Sequence, residues 1–237
     1  MKIGAILKTF QVNCREVIPT MVKIFVRRIF DFKAPYELLR ETQDDWTHFI
    51  HLHKKSHGGF RLLYKKGNRE IFLYKAWKLT PFPFFPDIYV VFRDYLPAKN
   101  GYRNVYLNVK TGQTHYLHGY LEDNAPYATT VGEFLYTLPS FFKFFPNLFF
   151  RFLKLRGKRV LEEDNVWMVE RMAQESPVNS AACAPEVPET YDLFDDLFKD
   201  GKFPEPDIRL EERLTIDLES RAKKLREKKE FLKSSRP

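Results

Sequence analysis

The chain has 237 residues and is 44% hydrophobic, enough for one sizeable core with an appendage and too apolar for a mainly disordered polymer. Its net charge of +8 would suit an acidic protein, anionic lipid or nucleic acid. The sequence has no RNP-type aromatic strand, zinc finger or helix-turn-helix pattern, so nucleic acid ranks last of these three.

The N-terminal stretch MKIGAILKTFQVNCREVIPTMVKIFVRRIF mixes apolar residues with Lys and Arg and has no clean h-region, so it reads as retained rather than as a signal peptide. Val17, Met21, Ile24, Phe25 and Ile29 recur at helical spacing. They predict an amphipathic helix within residues 1–34, packed on the domain or, as the alternative, lying at a membrane surface. Cys14 and Cys183 are far apart and encode neither a disulfide framework nor a CxxC metal site, which points to a reducing, cytoplasmic setting.

Residues 34–56, APYELLRETQDDWTHFIHLHKKS, read as one or two helical pieces stopped by Gly58-Gly59. Period-two segments then follow. FRLLYKK and REIFLYKAWKL are joined by a Gly67-Asn68 hairpin turn; DIYVVFRDYL, YRNVYLNVK and QTHYLHGYL come next, and ATTVGEFLYTL supplies a sixth candidate strand. The short connections predict antiparallel neighbours, whereas TPFPFFP, with three prolines, is a crossing loop.

Residues 139–174 read as mostly helical, with Pro146 as a start or kink. Lys143, Arg151, Lys154 and Arg156 interrupt the apolar run before it reaches transmembrane length, so the helix is expected to cover one face of the sheet or to lie along a bilayer surface. Residues 176–205 read as a Pro/Ser/Ala linker and an acidic aromatic segment. Residues 206–237 read as a charged helix with Leu210, Leu214, Leu218 and Leu225 on a thin stripe, suited to peripheral docking or to pairing in a homo-oligomer. The fold class is therefore α+β: an antiparallel sheet of five to seven strands on a long helix, with extra N- and C-terminal helices, and the body spans residues 35–175.

The stretch DDWTHFIHLHKKSHGGF (44–60) holds four of the six histidines: His48, His51, His53 and His57. One reading is a basic helix end with imidazoles facing solvent. The other is a metal site. On a regular helix His48 pairs best with His51, and His53 with His57, so joint use of His48 and His53 needs the helix to end or distort between them.

Asp45, His48 and His53 form the pattern DxxHxxxxH, and LEEDNVWMVER follows about 110 residues later with Asp164 and Glu163. These two half-motifs resemble those of the catalytic domain of Rieske non-haem iron oxygenases, across roughly residues 35–175. The resemblance implies a helix-grip, START-like fold and a mononuclear Fe(II) centre held by His48, His53 and Asp164, with His51, His57 and Glu163 in reserve. It implies a catalytic coupling role for Asp45 and oxygenase activity on a hydrophobic or aromatic substrate. Trp46, His118, Phe134 and Trp167 are the expected substrate contacts.

The family's iron–sulfur domain is missing, because Cys-x-His and Cys-x-x-His spacings do not occur. Electrons would then come from a separate acidic electron-transfer protein or from the substrate. The alternative function is a metal-free START-like carrier of a hydrophobic ligand or lipid, with a peripheral membrane contact. No GxSxG, GxGxxG or Walker sequence supports hydrolase or nucleotide chemistry.

Overall fold

The structure, a computed structural model, describes residues 21–44, 59–75, 88–96, 100–109, 112–124, 127–174 and 203–234. Eight strands form one sheet in the order β2-β3-β4-β5-β6-β7-β1-β8. They are β1 (Met21–Lys33), β2 (Gly59–Lys66), β3 (Arg69–Lys75), β4 (Ile88–Leu96), β5 (Gly101–Asn108), β6 (Thr114–Asn124), β7 (Tyr127–Pro139) and β8 (Ile208–Asp217). Among the described residues three helices accompany them: α1 (Tyr36–Asp44), the 29-residue α2 (Pro146–Gln174) and α3 (Leu218–Ser234). A 3₁₀ turn, Ser140–Lys143, links β7 to α2.

Strands β2 to β7 form the expected antiparallel meander, and the β2–β3 hairpin turns at Gly67, whose φ of 54° suits a residue without a side chain. The two ends of the chain differ from expectation. Residues 21–33 form a strand rather than an amphipathic helix, and residues 208–217 form a strand ahead of the C-terminal helix. Both join the sheet, so it has eight strands and extends beyond the 35–175 body.

The physical reason for β1 lies in MVKIFVRRIFDFK. Its β-branched Val22, Ile24 and Val26 fall on one face and pack on Phe149 and Leu153 of α2, while Ile29 and Asp31 are buried on the other face. A strand covered on both sides loses its alternation and imitates helical spacing. β1 pairs antiparallel with β7 and parallel with β8, the only parallel pair among the described residues.

α2 lies across one face of the sheet, with Phe149 and Leu153 on β1 and Met168 in a cluster with Phe32, Leu39, Leu121, Ile216 and Leu218. The C-terminal half of α2 is clamped from two sides. α1 docks there through Leu39 and an ion pair from Glu41 to Arg171 (3.8 Å), and α3 docks through Leu218 and Ala222, both 0% exposed. Arg226 also donates to the Met172 carbonyl. On the opposite face of the sheet, Phe203 packs edge-on against Phe25 and Tyr116. Among the described residues no helix is long and apolar enough to cross a membrane.

Candidate functional site

The register of the sheet determines which side chains share the face covered by α2. On β1 that face carries the even positions that meet Phe149 and Leu153. Following the Cα pairs across the sheet, it carries Phe134 and Tyr136 of β7, His115 and Leu117 of β6, Tyr102, Asn104 and Tyr106 of β5, Tyr89, Arg93 and Tyr95 of β4, and Glu70 and Phe72 of β3. A buried face of this kind is expected to be aliphatic, yet here its middle is polar and aromatic.

The centre of this set is Arg93, 5% exposed. Its Nε donates to Asn104 Oδ1 (3.1 Å), and its Nη1 donates to the Tyr95 hydroxyl (3.1 Å). The guanidinium lies 4.7 Å from the centre of the Tyr102 ring and 5.0 Å from that of Phe72. Tyr95 in turn donates to Glu70 Oε2 (3.3 Å), and Lys65 makes an ion pair with the other oxygen of Glu70 (3.0 Å). Asn104 Nδ2 donates to the Tyr106 hydroxyl (3.1 Å). Arg93 cannot lose its proton, so the fully buried Glu70 is its electrostatic counterpart, 4.0 Å away.

Burial raises the pKa of the Tyr102 and Tyr106 hydroxyls, Tyr106 to about 12. The carboxylate of Asp164 pushes Tyr102 further in the same direction. The Tyr102 ring lies against Gly119, where an added Cβ would come within 2.6 Å of the ring. Next to Asp164 is Asn165, 5% exposed, whose Oδ1 is buried with no hydrogen-bond partner among the described residues. Asn165 lies on the enclosed half of α2, within about 60° around the helix from Leu161 and Met168 of the cluster that packs under α1 and α3. A buried acceptor left unmatched costs about 1–3 kcal/mol, a cost that a bound donor would remove.

The expected site residues divide three ways. Asp164 is half-buried on α2 and acts on Tyr102 through its charge, and Phe134 lies on the inner face of the sheet, stacked 5.8 Å from Tyr136. Glu163 precedes Asp164, and Trp167 packs in the Met168 cluster beneath the Arg171 guanidinium. His118, expected to contact substrate, is on the opposite face. Its ring stacks on Phe203 at 4.0 Å, because β6 turns odd and even positions to opposite sides.

His115 takes the interior position instead. Its ring lies between Tyr89 and Tyr136, and its Nδ1 accepts the Thr137 N–H (3.2 Å), which leaves the neutral ring's proton on Nε2. Asp45, Trp46, His48, His51, His53 and His57 lie outside the described residues, and among the described residues no three His, Cys, Asp or Glu side chains converge as a metal site would require.

The residues missed in the sequence are Glu70, Arg93, Asn104, Tyr102 and Tyr106. A signal for them was present: Glu70 is in phase with Phe72, Arg93 with Val91, and Asn104 with Tyr102 and Tyr106, so charged and amide groups occupy positions of an apolar face.

No protein-family model matches the sequence, and no curated protein matches it. Among solved structures, the Zhui aromatase/cyclase from Streptomyces sp. R1128 is similar with a TM-score of 0.52 and 12% identity, over 67% of this chain and 100% of that one. The fold is a helix grip. Looser likenesses include norcoclaurine synthase from Thalictrum flavum (TM-score 0.43, 13% identity, 62% of this chain and 99% of that one). Ara h 8.0201 is another (0.44, 8%, 62% and 99%). At these identities the likeness concerns the fold, a sheet wrapped on a long helix, and not the chemistry inside it.

Proposed function

We propose that the helix grip binds a hydrophobic, ring-bearing small molecule between the sheet and α2, oriented by the polar centre around Arg93. The observation that carries this reading is the set of buried Glu70, Arg93 and Asn104 among the aromatic side chains on one face of the sheet. The apolar share of the site comes from Phe72, Tyr89, Phe134 and Tyr136, and Tyr102 and Tyr106 bring hydroxyls that stay protonated through the physiological range. Apolar walls with a few placed polar groups are the usual composition of a small-molecule site.

The test uses full-length protein and the solvatochromic dye 1-anilinonaphthalene-8-sulfonate. One dye should bind per chain with a blue shift, and Tyr106→Phe and Tyr102→Phe should each change dye affinity or displacement by about 3–10-fold. A protein that binds no dye and carries no extractable hydrophobic compound refutes the reading.

A second reading is favoured by the placement of Asp164. The charge of Asp164, the expected iron carboxylate, acts on Tyr102, and the helix that leads into the histidine segment, α1, docks on α2 through Glu41 and Arg171, two helical turns from Asp164. The chain leaves α1 at Asp44, one residue before Asp45. This supports a mononuclear Fe(II) site formed by His48, His53 and Asp164, with His51, His57 and Glu163 in reserve and Asp45 beside it. Bound iron would supply oxygen activation next to the seated molecule. Inserting one oxygen atom and releasing the other as water takes two electrons, from an acidic electron-transfer protein or from the substrate itself.

The aromatase/cyclase that shares the fold shows that a helix grip is compatible with catalysis. Anaerobic loading with Fe(II) should give one iron per chain, lost in His48→Ala and Asp164→Ala. Substoichiometric iron that is equal in wild type and variants leaves the carrier as the function.

A further inference from the structure

We infer that the turn before α2 is a membrane-docking tip, and that it opens onto the interior of the grip. This rests on the hydrophobic-ligand reading above for its purpose, but not for its existence. At the 3₁₀ turn and the first turn of α2, Phe141, Phe144, Phe145 and Leu148 are 53%, 77%, 57% and 65% exposed. Leu155, 70% exposed, continues the line two turns along the same side of α2. Four large apolar side chains clustered in eight residues form a contiguous patch of the kind that marks an interaction surface.

The charge around the patch selects its occupant. The sequence from residue 140 to 161 contains Lys143, Arg151, Lys154, Arg156, Lys158 and Arg159 and no acidic residue. Lys143 and Arg151 are exposed, and Arg151 and Lys158 lie about 60–80° around the helix from the Leu148–Leu155 line. Aromatic and leucine side chains with a flank of cations match the boundary between the acyl chains and the anionic headgroups of a bilayer. An acidic protein would meet the cations without using the phenylalanines, and a second copy of this chain would bring its own cations against them.

The patch is continuous with the site. Phe141 contacts Phe142 (4.1 Å between ring centres), Phe142 contacts Phe149 (5.5 Å), and Phe149 contacts Tyr136 (5.3 Å). Tyr136 then contacts His115 (5.6 Å), and His115 contacts Tyr89 (5.9 Å) on the inner face of the sheet. An unbroken row of rings thus runs from the exposed tip to the grip interior. A molecule partitioned in the bilayer could follow this row without passing through water.

Cosedimentation of the full chain with vesicles of phosphatidylcholine alone, or with one quarter phosphatidylserine, tests the docking. Binding should require phosphatidylserine, fall in 0.5 M salt, drop at least tenfold in Phe144→Ser/Phe145→Ser, and lose its anionic preference in Lys143→Glu/Arg151→Glu. The portal is read from transfer of a hydrophobic fluorophore out of vesicles, which should slow at least fivefold in the phenylalanine variant. Dye affinity measured without vesicles should stay at the wild-type value, which separates failure here from failure of the ligand site. Equal vesicle binding by wild type and the phenylalanine variant overturns the inference. So does a wild-type dimer that ignores vesicles and becomes monomeric in that variant.

Discussion

The two halves of α2 obey different rules. The C-terminal half is enclosed: Leu161, Trp167, Met168 and Met172 pack beneath α1 and α3, and its polar Asn165 is buried among them. The N-terminal half buries Phe149 and Leu153 on β1 and, with Phe144 and Phe145 just ahead of it, leaves Leu148 and Leu155 in solvent. One half holds polarity the fold has enclosed, and the other holds hydrophobicity the fold has not used. Departures of both kinds from the binary pattern are most economically explained by something that meets the protein there, a ligand inside and a surface outside.

If that contrast is real, stability and surface behaviour separate along the helix. The largest effect is expected from Leu218→Ala, which removes a fully buried anchor of the C-terminal clamp and should cost about 2–5 kcal/mol in urea unfolding. Gly157→Ala lies where the halves meet. An added methyl would come within 2.2 Å of the Arg28 guanidinium, which is held by the buried Glu212, itself also paired with Lys154 (3.1 Å). Alanine in place of a mid-helix glycine ordinarily gains about 1 kcal/mol, so a net loss measured by calorimetry would show that the Arg28–Glu212 contact outweighs helix propensity.

Next comes Asp217→Ala, which removes the acceptor for the Ser220 N–H at the start of α3 and should lower the urea midpoint by less than Leu218→Ala does. The smallest change is expected for Phe144→Ser, within about 0.5 kcal/mol of wild type in the same unfolding assay, even though together with Phe145→Ser it should abolish most vesicle binding.

Acid titration sharpens the comparison at the seam that supports the clamp. Hydrogen bonds from Arg213, and then from Thr129, hold the Asp31 carboxyl below its ordinary pKa. A lowered folded pKa means that this contribution is present above the unfolded value of about 3.9 and is lost as the pH falls through the lower folded value. Stability should therefore fall below about pH 4, and Asp31→Asn should flatten that part of the curve.

The meander from β2 to β7 was legible because each strand alternates and each turn carries its own chemistry, as at Gly67. Pro146 also marked the start of α2. β1 was hidden by burial on both faces. β8 was hidden by one residue: Leu210, Glu212, Leu214 and Ile216 share a face, and the buried glutamate breaks the apolar alternation, so the leucines at 210, 214 and 218 imitate a helical stripe.

Asp164 was singled out from its motif alone, and the effect of its charge on Tyr102 arises only in the tertiary fold. The Arg93 cluster was not found, because Glu70, Arg93 and Asn104 come from three strands and become neighbours only in the assembled register. His118 and His115 were one pleat apart, and nothing local to β6 says which side α2 will cover.

The parallel seam between β1 and β8 also governs how the chain is made. Arg28 and Glu212 meet across 184 positions, so during translation the flank of β1 that β8 will occupy stays unpaired while nearly two hundred further residues are added. For all that time an open backbone edge is available to other nascent chains. The charges Arg27, Arg28 and Asp31 along this strand therefore protect it during synthesis as well as binding its late-arriving neighbour.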